Sequence, residues 1–390
     1  MKKPIYFDYA ATTPVDTRVV AAMRPFFVSS YGNPSSLHCF GRTARVAVEK
    51  ARMVISEALG AEPEEIIFTS GGTESNNFAI KGIAFANRVR GRHIVVSTIE
   101  HECVYQSCRW LEREGFSITY LSVDGNGLVD PDALMSALRP DTVLVSIMHA
   151  NNEIGTIESI EELAWICKSR GISFHTDACQ SFGKIPLSVR DVPVDLITIN
   201  AHKIYGPKGV GALYIRKNTP IMPWQHGGGQ ESGMRSSTEN VPGIVGFGKA
   251  TELSVQEMVE EGKRLTALRD RIISSVIHDI PGAYLNGHPT DRLPNNINVA
   301  VHGLEGEAIR LLLELDRHGI AVSTGSACSS NQENQTSHVL AAIGRDSMEA
   351  RGGIRITIGR FTTNEEVTYL LKTLPEVTGS LKSISSVRLS

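Results

Sequence analysis

Apolar positions in the first two-thirds of the chain fall into two alternating textures. Glu65-Ile-Ile-Phe-Thr69, His93-Ile-Val-Val-Ser97, Thr142-Val-Leu-Val-Ser-Ile147, Ile172-Ser-Phe-His-Thr176 and Asp195-Leu-Ile-Thr-Ile199 are short runs of strand length. Their nearly continuous apolar character suits strands buried on both faces. Between them lie amphipathic stretches such as 74–88 and 159–170, the latter with Ile160, Leu163, Ala164 and Cys167 at helical spacing. Strand and helix alternating over roughly 20–30 residues per unit predict a mostly parallel α/β sheet.

Beyond residue 245 the texture changes. A long charged helical stretch, 251–278, leads into Asn296-Ile-Asn-Val-Ala-Val301, an amphipathic helix over 306–317, and Ile320-Ala-Val-Ser323. Then come Ile354-Arg-Ile-Thr-Ile358 and a last helix, opened by a capping box of Thr363 with Glu366. This order predicts a smaller α+β domain from 1–14 and 251–390, beside a large α/β domain over 15–250. With no repeats and no linker composition, the two are expected to pack directly.

The chain of 390 residues is 41% apolar and 21% charged, which is globular and not disordered. Its 39 Lys and Arg against 42 Asp and Glu give a net charge of −3. That balance gives no electrostatic reason to expect a nucleic-acid or membrane-surface partner. Six cysteines, none in C-x-x-C spacing, make neither a disulfide framework nor a zinc or redox motif. The start, Met1 to Asp8, lacks the apolar run of a signal peptide, and no apolar run reaches the ~18 residues of a membrane span. A cytoplasmic protein is expected.

Candidate chemistry gathers where an open α/β sheet binds ligands, beyond the carboxyl ends of its strands. Thr69-Ser-Gly-Gly-Thr-Glu74 ends a strand and opens a helix. Its glycines admit a ligand to the backbone, and the helix N-terminus suits a phosphate, although a tight turn and cap would read the same way. Three further strand ends carry Asn152, Asp177 and Lys203, 25 and 26 residues apart, about one βαβ repeat each. A strand-end Asp is often only a cap, and a lone Lys is usually solvated. Together with the phosphate cradle, however, they offer what pyridoxal phosphate needs: an anion for its ring nitrogen, an amine for its aldehyde and a helix end for its phosphate. On these residues alone, a nucleotide-binding α/β enzyme remains the competitor.

A resemblance narrows the choice. Phe68-Thr-Ser-Gly-Gly-Thr-Glu-Ser-Asn-Asn77, His149-Ala-Asn-Asn-Glu-Ile-Gly-Thr156, His175-Thr-Asp-Ala-Cys-Gln-Ser181, Ala201-His-Lys-Ile-Tyr-Gly-Pro-Lys-Gly-Val-Gly211, His226-Gly-Gly-Gly-Gln-Glu231 and Thr324-Gly-Ser-Ala-Cys-Ser329 resemble the cysteine desulfurases. The closer similarity is to the branch that supplies sulfur for iron–sulfur clusters and tRNA thiolation. It implies fold type I of pyridoxal-phosphate enzymes, with a mostly parallel seven-stranded sheet and a smaller α+β domain, and a homodimer with shared sites.

The resemblance also implies roles. Lys203 would form the Schiff base, and Asp177 would keep the pyridinium nitrogen protonated. Gln180 would bond the ring oxygen with Asn152 nearby, and His101 would stack on the ring and move protons. Gly72, Thr73, Asn200 and His202 would hold the phosphate, joined by Thr238 from the partner subunit. Arg355 would clamp the carboxylate of L-cysteine bidentately, a geometry lysine does not offer, with Asn33 assisting. Cys328 would attack the substrate sulfur, keep it as a persulfide while alanine departs, and pass it to an acceptor or iron–sulfur scaffold protein.

Cys328 separates the possible chemistries. Ser326-Ala-Cys-Ser-Ser-Asn-Gln-Glu-Asn334 contains almost nothing to bury a thiol, which suits an attacking residue on an exposed, moving segment. A thiol needs a base or cation to become a thiolate at neutral pH, and His101 is the candidate. Glu100-His-Glu-Cys103 is too closely spaced for a shared metal face, so no metal site is expected, apart from a sulfur or cluster passing through Cys328. Met148 and Cys179 read as core filling, and His38, His278, His288, His302 and His318 as structural or surface residues.

Three departures stand out. Asn200 replaces the Ser or Thr of many relatives. The stretch from Cys328 to Ser337 is about one residue longer than usual and lacks a proline before that serine. The chain also ends soon after the last helix, so the scaffold contact made by a longer tail in some relatives is not carried over. An aminotransferase, a selenocysteine lyase or a non-catalytic assembly partner on the same fold are the alternatives, and only the desulfurase requires Cys328.

Overall fold

A short strand β1 (Ile5–Tyr6) precedes a seven-stranded sheet. Its members are β2 (Ile66–Thr69), β3 (His93–Ser97), β4 (Ser117–Leu121), β5 (Thr142–Ser146), β6 (Ser173–Asp177), β7 (Leu196–Asn200) and β8 (Gly211–Ile215), in the order β2-β8-β7-β6-β5-β3-β4. Only β8 runs antiparallel to its neighbours; β7, β6, β5, β3 and β4 pair in parallel. The computed structural model describes residues 4–325 and 336–388, with side chains as far as 383, so Cys328 lies outside the described residues.

All five apolar runs are strands, and the two-sided burial has a direct cause. Ile66, Phe68 and Val95 enter one core cluster, whereas Ile67, Ile94 and Val96 enter another, as a period of two dictates when helices cover both faces. Two strands of this sheet escape the sequence pattern. β4 is the edge strand, mostly half-exposed, so its Ser-Ile-Thr-Tyr-Leu never forms an apolar run. β8 starts at the last glycine of Gly209-Val-Gly211, which reads as loop because of its glycines.

In the second half, β9 (Ala283–Leu285) and β10 (Asn296–Val301) are followed by β11 (Ile320–Ala321), β12 (Ser323–Thr324) and β13 (Ile354–Thr357). Four of these form an antiparallel sheet in the order β12-β13-β10-β9. The run 320–323, expected as one strand, is two: β11 pairs in parallel with β1, and β12 pairs with β13. The capping box forms as expected, Thr363 N–H donating to Glu366 Oε2 at 3.0 Å and Glu366 N–H to Thr363 Oγ1 at 3.2 Å.

The charged helix begins ten residues before the expected 251 and runs from Val241 to Asp279. Val241-Pro-Gly-Ile-Val-Gly-Phe-Gly248 reads as helix-breaking, yet each feature has a use. The proline sits in the first turn, where its missing N–H costs nothing. Gly248 packs so tightly on the helix Cys39–Leu59 that a Cβ there would lie 2.7 Å from Ala51 Cβ. Ile244, Phe247 and Leu253 join the cluster under the large sheet, and Leu265, Leu268, Ile272 and Val276 join that of the second sheet. One helix therefore serves both. Among the described residues, no helix is long and apolar enough to cross a membrane.

Candidate active site

Ten of the sequence-selected residues, Gly72, Thr73, His101, Asn152, Asp177, Gln180, Asn200, His202, Lys203 and Arg355, line one cavity of about 250 Å³. The fold explains the convergence. Asp177 and Asn200 are the last residues of the neighbouring strands β6 and β7, and His101 and Asn152 follow β3 and β5. Asn33 and Thr238 are exposed and do not line this cavity.

At one end, β2 passes through Gly71, whose φ of 152° favours glycine, into the helix Gly72–Asn87. No side chain caps that N-terminus, so its first N–H groups are available to an anion. Gly72 leaves the backbone bare: a Cβ would lie 2.6 Å from Cys179 Sγ and 3.3 Å from Asn200 Nδ2. Asn200 is buried and its Oδ1 has no partner. His202 Nδ1 pairs with Thr12 Oγ1 at 3.2 Å. Burial, with Lys203, Lys208 and Lys184 nearby, holds its pKa down to about 3, so the ring is neutral at physiological pH.

Deeper in, Asp177 is only 5% exposed and committed through both oxygens. Oδ1 accepts from the Cys179 N–H at 2.9 Å and Oδ2 from Asn76 Nδ2 at 2.6 Å. Lys203 Nζ donates to the carbonyls of Ala10 and Ala11, the latter at 2.7 Å. Gln180 Nε2 reaches the same Ala10 carbonyl at 3.0 Å, while its Oε1 accepts from Lys184 Nζ at 3.4 Å. Burial and Lys203 lower the Lys184 pKa to about 7.

The far wall is Arg355, 1% exposed, on β13. Its Nη1 donates to the Asn152 carbonyl at 3.2 Å and its Nη2 to Asp8 Oδ1 at 2.9 Å, while Nε has no partner.

Several neighbours were not legible. Asp8, Asn76 and Cys103 carry no strand-end signal, although Asn76 lies one helical turn past Gly72 and so shares its face. Cys179 is not core filling; it lines the cavity under Gly72, its thiol pKa pushed well up by burial and by Asp177. Met148 is buried with Ile99, Ile154 and Leu340, yet it also reaches the cavity wall. His38 is structural as expected, accepting from the Gly41 N–H at the start of its helix.

This donor set fits pyridoxal phosphate: an uncapped helix end and a bare glycine for the phosphate, a buried carboxylate for the ring nitrogen and an amine for the aldehyde. The comparisons agree. The family model Aminotransferase class-V matches residues 5–370. "Cysteine desulfurase IscS" of Dictyoglomus turgidum is 56% identical over 99% of this chain and 97% of its own. Its namesake from Methanosarcina thermophila is 51% identical, covering 98% and 94%. Among solved structures, a "NifS-like protein" superposes with a TM-score of 0.90 at 42% identity, covering 96% of this chain and 99% of its own. "SspA in complex with cysteine" gives 0.81 at 38% identity, covering 92% and 100%. With this coverage and this cavity, the chain belongs to the pyridoxal-phosphate-dependent cysteine desulfurase family.

Proposed function

We propose that this enzyme divides the conversion of L-cysteine to L-alanine between the cavity residues and Cys328. Lys203 would supply the amine that holds the cofactor, and would take and return the proton at the substrate Cα. Gly72, Thr73, Asn200 and His202 hold the phosphate, Gln180 and Asn152 the ring oxygen side, and Asp177 keeps the ring nitrogen protonated. When bound, the cofactor supplies an electron sink that stabilises negative charge at Cα. Arg355 would bind the substrate carboxylate, and His101 would lie against the ring and handle protons.

Cys328, as thiolate, bonds to the substrate sulfur as the carbon–sulfur bond breaks, and so becomes a persulfide. It then passes that sulfur to an acceptor protein for iron–sulfur cluster assembly or tRNA thiolation. Thr238 and Asn33, exposed on this protomer, complete the site from the second subunit of a homodimer and at the substrate side respectively. The five cysteines among the described residues are free thiols, which supports a reducing, cytoplasmic setting.

The observation that carries the reading is the meeting of Lys203, Asp177 and a buried Arg355 in one cavity. Its test is a single turnover of the holoenzyme with L-cysteine. Alanine and one persulfide on Cys328, mapped by mass spectrometry, are expected. Alanine with no protein persulfide would favour a selenocysteine-lyase-type reaction, and a keto acid in place of alanine an aminotransferase.

A further inference from the structure

His101 caps the helix Glu102–Arg113 with its own ring. The Cys103 backbone N–H donates to His101 Nδ1 at 3.2 Å, so that nitrogen is an acceptor. A neutral imidazole accepting at Nδ1 carries its proton on Nε2. The Cys103 thiol meets the same Nδ1, with Sγ at 3.0 Å. Its other contact fixes the direction of this bond. Asn76 Nδ2 has two hydrogens: one goes to Asp177 Oδ2 at 2.6 Å and the other to Cys103 Sγ at 3.2 Å. The sulfur thus accepts from Asn76, and its own hydrogen points to His101.

We propose that Cys103 is a positioning residue for His101, its thiol hydrogen holding the imidazole as the Nε2–H tautomer through a chain running Asp177, Asn76, Cys103, His101. The Nδ1 lone pair is occupied twice over. In the resting enzyme His101 is therefore a neutral ring set to donate a hydrogen bond from Nε2, and is not the base that takes the proton of Cys328. The same chain ties the partner of the ring nitrogen to the residue over the ring. This inference rests on the reading of His101 as the proton-handling group of the reaction. Other charged or titratable groups around the ring are Glu100 on its own segment, Glu153 and His338 from adjoining elements, and Asp177, Cys179, His202, Lys203 and Arg355 across the cavity. The substitutions below leave all of these in place.

The test is nitrogen NMR of the holoenzyme with ¹⁵N-labelled histidine rings, the His101 signals being identified by their loss in His101→Gln. The wild type is expected to show His101 as the Nε2–H tautomer. Donors to Nδ1 favour the neutral ring, so Cys103→Ala should raise the His101 pKa by about half a unit to one unit. Cys103→Ser, whose hydroxyl can still donate, should return it to the wild-type value. The acid limb of the kcat/KM profile should move with it, whereas a merely structural thiol would change stability and leave that limb alone. Cofactor absorbance, and its change on adding cysteine, shows that each variant is folded and loaded. A wild-type His101 protonated on Nδ1, or one pKa common to all three proteins, overturns the proposal. Absence of a Cys328 persulfide in the wild type would instead overturn the functional reading, and the NMR result would still decide the role of Cys103.

Discussion

Asp8 Oδ1 sits 2.9 Å from Arg355 Nη2, and the Asn152 carbonyl holds Nη1. The guanidinium is thereby aimed before any substrate arrives, with Nε left without a partner. Arg355→Lys keeps the charge but loses the planar fork. KM for cysteine should rise about tenfold or more, with a smaller change in kcat; Asp8→Asn should raise KM less. Steady-state kinetics checks both, and an unchanged KM in Arg355→Lys would place the carboxylate elsewhere.

Cofactor attachment has a real competitor. Lys184 also adjoins the cavity residues, and its pKa of about 7 leaves much of it uncharged and nucleophilic at neutral pH. Borohydride reduction and peptide mapping should nevertheless find the label on Lys203. Asp177→Asn should still bind cysteine but lower kcat by about a hundredfold, because the ring nitrogen loses its anionic partner. Label on Lys184 or Lys208, or full activity of the Asn variant, would displace these assignments.

Cys328→Ser should separate binding from sulfur transfer. A serine hydroxyl is un-ionised at neutral pH, so it cannot take the sulfur as a thiolate does. The variant should load cofactor and change its absorbance with cysteine. It should form no persulfide and release alanine at about a hundredth of the wild-type rate or less. Cys179→Ser should retain persulfide formation, and normal turnover of Cys328→Ser would make Cys328 a bystander.

Buried ionisable groups predict the response to alkali. Burial pushes Glu100 and Glu158 up to about 8 and His149 and His175 down to about 4. The two glutamates stay protonated in the folded protein after they ionise in the unfolded chain. Their contribution is full below about pH 4.5 and lost as pH rises toward 8. The histidines act in the opposite sense, but only up to about pH 6.5. From 6.5 to 8 the glutamates dominate, with Lys184 offsetting part of the fall above 7. The urea midpoint should therefore drop across that interval. Glu158→Gln, at the buried carboxyl that accepts from the Val129 N–H, should lessen the drop. A midpoint that rises from pH 6.5 to 8 would contradict this.

What the sequence made legible depended on how far each residue acts. β2, β3, β5, β6 and β7 announce themselves because burial on both faces favours apolar residues at nearly every position of the run. Asp177, Asn200 and Lys203 follow because strand ends in such a sheet share one edge. β4 and β8 stay hidden, the first because an edge strand is half solvated, the second because glycine reads as turn. Long-range partners leave still less trace. Asp8 meets Arg355 across 347 residues, and Asn76 reaches Asp177 from another element. Cys103 looked like half of an improbable metal motif. Its contact with His101 depends on the geometry of a helix start, which spacing alone does not give.

The pairing of β1 with β11 has a consequence for biogenesis. Ile5 lies beside Ile320 and Phe7 is fully buried in the second cluster, and this seating brings the Ala10 and Ala11 carbonyls onto Lys203. Asp8, from the same segment, braces Arg355. During translation the large sheet can be complete once residue 215 has been made, but the segment that closes its active site must wait about a hundred residues more for its partner strand. A nascent or truncated chain stopping before β11 would hold Lys203 and Asp177 without a roof over them. Stable retention of the cofactor would then act as proofreading that the second half has been made and has folded.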